Sequence, residues 1–265
     1  MNESAHSLSA PELSVLRRQG RGDGADALRM AVLELIVRGV LLVDSQERSR
    51  RYVTMQLTGV QANLDPPLAA VASSLGTGPM NLRSLEHELS LTWPTPLAYV
   101  SAEVVPLLCE AGLMGFEDRR RGLGWLGPKL ALTDLGHDAR AGLENQLATF
   151  VGPFAGWVRT DPARAAALVA ETGAAALLAP AAWRDVRTLY TRLPAPAVGA
   201  LGLGVYPAVG ATALHPDFDF RLVGDALDGW AQGGGGFGNG GGGWGGGGGD
   251  GGGCGGDGGG GGGGC

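Results

Sequence analysis

From Gly233 to Cys265 the chain is glycine, interrupted only by Phe237, Asn239, Trp244, Asp250, Cys254, Asp257 and Cys265. Glycine loses the most conformational entropy on ordering and brings no side chain to bury. Such a stretch predicts a disordered coil whose reach grows as about 5–6 Å times the square root of its length. Any core must therefore be built by the residues before it, about 230 of them, enough for one large domain or two small ones.

Those residues are equipped for a core. Hydrophobic side chains make up 44 % of the chain and charged ones only 17 %, below the usual quarter. The net charge of −6 argues against a generic nucleic-acid binder and against a polybasic membrane anchor. Lys129 is the single lysine among 20 basic residues, a bias of codon usage more than of function. The N-terminus, Met1-Asn-Glu-Ser-Ala-His, shows neither the basic nor the apolar region of a secretory signal, so a cytoplasmic location is expected, with membrane association as the alternative. Three cysteines do not make a disulfide framework. Cys109 reads as a small buried hydrophobe in an apolar helix.

Residues 1–24 are expected to form a flexible segment with one short helix around Ala10-Pro-Glu-Leu-Ser-Val-Leu, Pro11 lying in its first turn. Ala25 to Arg38 reads as a helix that is nearly all buried, because Arg29, Glu34 and Arg38 are its few polar members. Gly39 ends it. Val40-Leu-Leu-Val-Asp and Tyr52-Val-Thr-Met-Gln-Leu-Thr then read as the two strands of a hairpin. Short helices are expected around 67–75 and 81–90. The order then recurs. Ser101 opens a helix to about Ala111 with Pro106 as a blemish, Gly112 ends it, Leu113-Met-Gly-Phe-Glu-Asp leads out, and Trp125 to Leu132 returns. Thr133 caps a helix from Asp134 to about Phe150. The two helix–Gly–hairpin units, roughly 25–60 and 97–150, form a repeat of architecture without a clear repeat of sequence.

Asp161-Pro162 begins another helix, which Gly173 stops. Ala174 to Leu178 and Ala181 to Arg192 also read as helical, and Phe218 to Trp230 as a last short one. Residues 193–214 carry no charge and are long enough to span a bilayer. Their prolines (194, 196, 207) and glycines (199, 202, 204, 210) make poor spanning material.

Candidate chemistry is sparse. Arg48, Arg50 and Arg51 fall on the first hairpin tip and Arg119, Arg120 and Arg121 on the second, where a wing could contact phosphates. Reading sequence would also need a helix with exposed polar side chains, and the helices before the tips are apolar. Solvated tips are the simpler reading. In the tail, Cys254 and Cys265 are the reactive groups. Ten residues separate them, which is not the spacing of a zinc half-site. Modification by a partner enzyme and an inert tail stay open. Asp134, His137 and Asp138 share one helical face by spacing, yet a Thr cap followed by acids is also what a helix N-terminus prefers. The chain has no phosphate loop, no H-E-x-x-H, no G-x-S-x-G and no paired-cysteine motif.

Two resemblances follow from these residues. Leu107-Leu-Cys-Glu-Ala-Gly-Leu-Met, Arg119-Arg-Arg and Leu130-Ala-Leu-Thr-Asp-Leu-Gly-His-Asp-Ala-Arg resemble the end of a MarR-type winged helix, with His137 where arginine is common. More of the chain is similar to an uncharacterised bacterial family with a conserved helical domain and a Gly/Cys-rich C-terminus, whose members are often labelled membrane proteins. The parts that carry this are Leu13-Ser-Val-Leu-Arg-Arg-Gln-Gly, Ala27-Leu-Arg-Met-Ala-Val-Leu-Glu-Leu-Ile-Val-Arg-Gly-Val-Leu, the second helix–Gly–Leu unit and the tail. That resemblance implies no reaction and no catalytic residue.

The fold expected is mainly α with small β-hairpins: tandem winged-helix-like units over 25–150, an Ala-rich helical region over 151–231 and a disordered Gly-rich tail over 232–265. The function expected is that of a non-enzymatic interaction or scaffold protein with a protein partner and no cofactor. A carrier of a modified Gly/Cys tail is the first alternative, and a winged-helix DNA-binding regulator the second.

Overall fold

The most fully buried helix is the one around which its neighbours pack. Helix α2, Ala25–Val37, buries every residue except Asp26 and Arg29. Each Leu, Ile or Val so placed stabilises the fold by about 1.5–3 kcal/mol. Around it lie α1 (Ala10–Arg17), α3 (Pro66–Ser74), α5 (Pro96–Tyr99), β1 (Leu41–Asp44) and a 3-10 segment, Gly173–Leu178. The computed structural model describes residues 8–19, 24–44, 54–58, 63–117 and 129–192, with Val223 and Leu227 beyond them, both buried. By its contacts the chain divides into two units, Met1–Gly234 and Gly235–Cys265. All described residues belong to the first, which is mainly helical with a few short antiparallel strands.

The helix–Gly–hairpin unit occurs twice, and its hydrogen bonds repeat. Gly39 and Gly112 both have φ of 70°, the left-handed conformation that glycine adopts without a Cβ penalty. At the first exit the Val40 N–H reaches the Leu35 carbonyl at 2.9 Å, and at the second the Leu113 N–H reaches the Leu108 carbonyl at 2.8 Å. Gly39 N–H to Ile36 O, 2.9 Å, is matched by Gly112 N–H to Cys109 O, 3.0 Å. Both satisfy the last carbonyls of a helix in the Schellman manner. The strands that follow are β1 against β2 (Thr54–Leu57) and β4 (Met114–Glu117) against β5 (Lys129–Leu132), each antiparallel. Leu41 faces Leu57 in the first pair and Met114 faces Leu132 in the second. Each return strand is then tied to the helix exit: Thr58 N–H to Val40 O at 3.0 Å and Thr133 N–H to Leu113 O at 3.1 Å.

The two units are not independent. Strand β3, Met80–Asn81, stands ahead of the second unit's helices but pairs with β2 of the first hairpin. It places Met80 beside Met55, and both are buried.

Several boundaries differ from expectation. The helix expected to open at Ser101 begins at Pro96, capped by Thr95, whose hydroxyl accepts from Ala98 N–H at 3.2 Å. Ser101 instead lies exposed in a π-helical stretch, Val100–Val104, between α5 and α6 (Val105–Glu110). There the Val105 N–H bonds five residues back, to Val100 O. Pro106 follows in the first turn of α6; it has no N–H to return to residue 102, and a π turn upstream accommodates that loss. Helix α7 also outruns its expected end at Phe150, extending from Asp134 to Thr160 through Pro153. An internal proline costs about 3 kcal/mol. Phe150 and Phe154 on either side are buried and stacked at 4.5 Å. Burying two such rings outweighs the proline. The domain boundary expected at 150 thus falls inside a helix. The short helix expected around Ala10 to Leu16 is α1, and its Ala10 and Leu16 are buried against the core.

The remainder follows local rules. Asp161 caps α8 (Pro162–Thr172), its carboxylate accepting from Arg164 N–H at 3.1 Å. Helix α4, Leu82–Thr92, is capped by Asn81, which accepts from Arg83 and Ser84 N–H at 2.9 Å each. Helix α9 is Trp183–Arg192.

Candidate functional site

Of the residues singled out by sequence, Arg48, Arg50 and Arg51, Arg119, Arg120 and Arg121, and Cys254 and Cys265 all lie outside the described residues, as does the stretch 193–214. What the structure describes is the base on which the second tip is mounted. Thr133 joins that base to α7 on both sides. Its hydroxyl donates to Gly112 O at 2.6 Å and accepts from Gly136 N–H at 3.1 Å. Gly136 is required by proximity: a Cβ there would sit 2.0 Å from the Leu113 carbonyl oxygen. The string Thr133-Asp-Leu-Gly-His-Asp is therefore the seam between helix exit and helix entry. Asp134, His137 and Asp138 point away from it, exposed.

Above this base the hairpin carries one apolar face. Side chains two apart on a strand share a face, which groups Met114 with Phe116 and, across the ladder, Leu132 with Leu130. Met114 and Leu132 are buried, while Phe116 is 70 % exposed and Leu130 half-buried. Leu135, at the start of α7, is also exposed, and its Cδ2 lies 4.0 Å from where a Cβ on Gly112 would stand.

The helices ahead of the two hairpins differ in what they offer. Helix α2 is enclosed. The segment from Pro96 to Glu110 has an outer side formed by Ser101, Ala102, Pro106 and Glu110, with Glu103 half-buried beside them, and it contains no basic residue.

The most perturbed ionisable groups form a separate, internal cluster. Glu34 is 1 % exposed. It accepts from Ala10 N–H at 2.7 Å and from Arg38 Nε and Nη2 at 3.0 and 2.5 Å. Arg38 continues to Asp65 Oδ2 at 2.8 Å. Glu34 thus binds the first orphan N–H of α1, and Arg38 joins α2 to the residue that begins α3. Burial raises the Glu34 carboxyl, with Arg38 and the Ala10 N–H offsetting part of that. For Arg38, burial acts downward, but Glu34 and Asp65 outweigh it and raise the guanidinium. The two shifts pull opposite ways on the ion pair. Enclosure decides for the nearly inaccessible carboxyl, whereas the guanidinium, with two carboxylates against it, stays cationic. Tyr99, fully buried, is pushed well up by burial, then by Glu34, Glu103 and Glu12. Its hydroxyl reaches only Pro67 O at 3.4 Å, and its ring meets Trp93 edge-on at 5.1 Å. Perturbed groups often mark active sites, but Glu34 has no access to a substrate and its bonds join three helices.

Sequence reasoning passed over another group. Arg17, Arg18 and Gln19 at the end of α1 and Arg140 on α7 line an open concavity of about 350 Å³. The adjacent Arg17-Arg18 was the available signal; Arg140, more than a hundred residues later, gave none.

Among the described residues there is no group of three His, Cys, Asp or Glu side chains placed to hold a metal ion, and no helix long and apolar enough to cross a membrane. Nothing in them positively indicates an enzyme. Comparisons with protein-family models, curated proteins and solved structures find no match.

Proposed function

We propose that this chain is a non-enzymatic interaction or scaffold protein whose second hairpin receives a protein partner. The observation that carries this is Phe116: a large aromatic, 70 % exposed, in line with the buried pair Met114 and Leu132. Single exposed apolar residues are ordinary. An aromatic continuing a core face outward, with Leu130 opposite and Leu135 exposed at the base, has the composition of an interface centre. A photoreactive phenylalanine at position 116, expressed in the native host, tests it. A discrete cross-linked species is expected at 116 and not at the control position Leu91, which is also exposed. Equal labelling at both positions, or none, overturns the reading.

A carrier of a modified tail is the second reading, favoured by Cys254 and Cys265 standing in a stretch that is otherwise nearly all glycine. The intact mass of protein from its native host decides it, since an unmodified mass ends it. The DNA-binding reading has the least support, because α2 is enclosed and the helix before the second hairpin presents glutamates. Binding to plain DNA at low salt, declining steeply as salt rises, would revive it.

A further inference from the structure

We infer that the concavity between α1 and α7 is a site for a phosphate-class oxyanion. Three arginines, Arg17, Arg18 and Arg140, line it together with Gln19. Arginine stays protonated in proteins and presents its donors in a rigid fork suited to oxyanions. Two of the three have carboxylate partners. Arg17 Nε lies 2.8 Å from Glu144 Oε1, Nη2 lies 3.4 Å from Oε2, and Nη1 donates to Leu178 O at 2.9 Å. Arg18 pairs with Asp26, which also lies 3.4 Å from Arg29 Nη1. Among the described residues Arg140 has no carboxylate partner, and its buried Nε has no hydrogen-bond partner.

Charge and room agree on the class of ligand. Among the described residues the three arginines are met by two carboxylates, a positive excess in a chain of net charge −6. Gln19 holds the rim in a left-handed conformation, φ 59°, fixed by its N–H to Leu16 O at 3.1 Å. The side chain thereby joins the arginines rather than continuing the helix. Arg17 is anchored on both Glu144 and Leu178 and Arg18 is held by Asp26, so both form a preorganised wall, while Arg140 has no carboxylate partner among the described residues. A tetrahedral dianion offers enough oxygens for three donors at once, and a cavity of about 350 Å³ leaves room for a small organic group esterified to it.

Calorimetric titration of the full chain with inorganic phosphate and with glycerol 3-phosphate, at ionic strength matched by chloride, tests the site. Saturable binding of at least one is expected in the wild type and at least tenfold weaker binding in Arg140→Gln and in Arg18→Gln. Arg164→Gln, whose guanidinium lies 3.8 Å over the Trp157 ring, is expected to bind as the wild type does. Tighter binding of the ester assigns the site to a phosphorylated small molecule, and equal binding to free phosphate. Without ligand, Arg140→Gln is expected to leave Tm unchanged or slightly raised, since the group it removes has no carboxylate partner among the described residues. No binding to either probe, or the same affinity in all variants, overturns the site. So does a Tm that falls for Arg140→Gln without ligand while phosphate raises it equally in both proteins.

Discussion

Glu34 is tolerated inside the core only because donors from two helices converge on it. Removing one of them exposes the cost. Arg38→Met is expected to destabilise by about 3 kcal/mol, because a buried carboxylate is left without its cation; urea unfolding measures it. The pH dependence follows from the direction of the Glu34 shift. A carboxyl raised in the folded state binds its proton more tightly there than in the unfolded chain. Stability from this group is therefore fully present below its ordinary value of 4.5 and is lost as pH rises through the folded value. Between pH 4 and 7 the stability of the wild type relative to Glu34→Gln is expected to fall. A relative gain over that range would mean that pairing with Arg38 dominates burial. Sequence showed Glu34 as one polar residue on an apolar helix; its partner Ala10, and Asp65 on the far side of Arg38, lie too far along the chain to be visible. Thr133 was legible as a cap, since capping is local. Gly136 was not, because its reason is the carbonyl of Leu113 on the far side of a hairpin.

At the scale of elements, the repeated helix exit makes a paired test. At Gly112 a Cβ would meet nothing closer than 4.0 Å, so Gly112→Ala pays only for its left-handed backbone, about 1–2 kcal/mol. Gly136→Ala meets backbone at 2.0 Å and is expected to cost about 3 kcal/mol, at the upper end for overpacking. Chemical denaturation of both variants checks the order, and equal costs would refute the close approach as the reason for Gly136. Helix α7 shows where local signals fail. Proline is a strong stop signal, yet the buried run Leu143, Leu147, Phe150, Phe154 and Val158 continues past Pro153. Its spacing of three and four residues was present in the sequence, and reading it through the proline would have found the full helix.

For the whole described unit, α7 joins the second hairpin to the C-terminal helices. It packs against α1, α8 and α9. Unfolding is therefore expected as one transition, with near-UV and far-UV circular dichroism coincident in urea; two separate midpoints would restore a boundary near residue 150. Much of the architecture was determined by the sequence alone. The buried helix α2, the two left-handed glycine exits, the hairpins and the caps at Thr133 and Asp161 arise from side-chain period and from backbone constraints within a few residues. Tertiary structure alone decided that β3 pairs with the first hairpin, that α7 passes its proline, that Glu34 and Arg38 join three helices, and that Arg17, Arg18 and Arg140 share one concavity. These outcomes depend on burial, and burial is set by which distant segments meet. A short-range pattern states what each segment prefers; only packing weighs a proline against two phenylalanines, or gathers three arginines on one concavity.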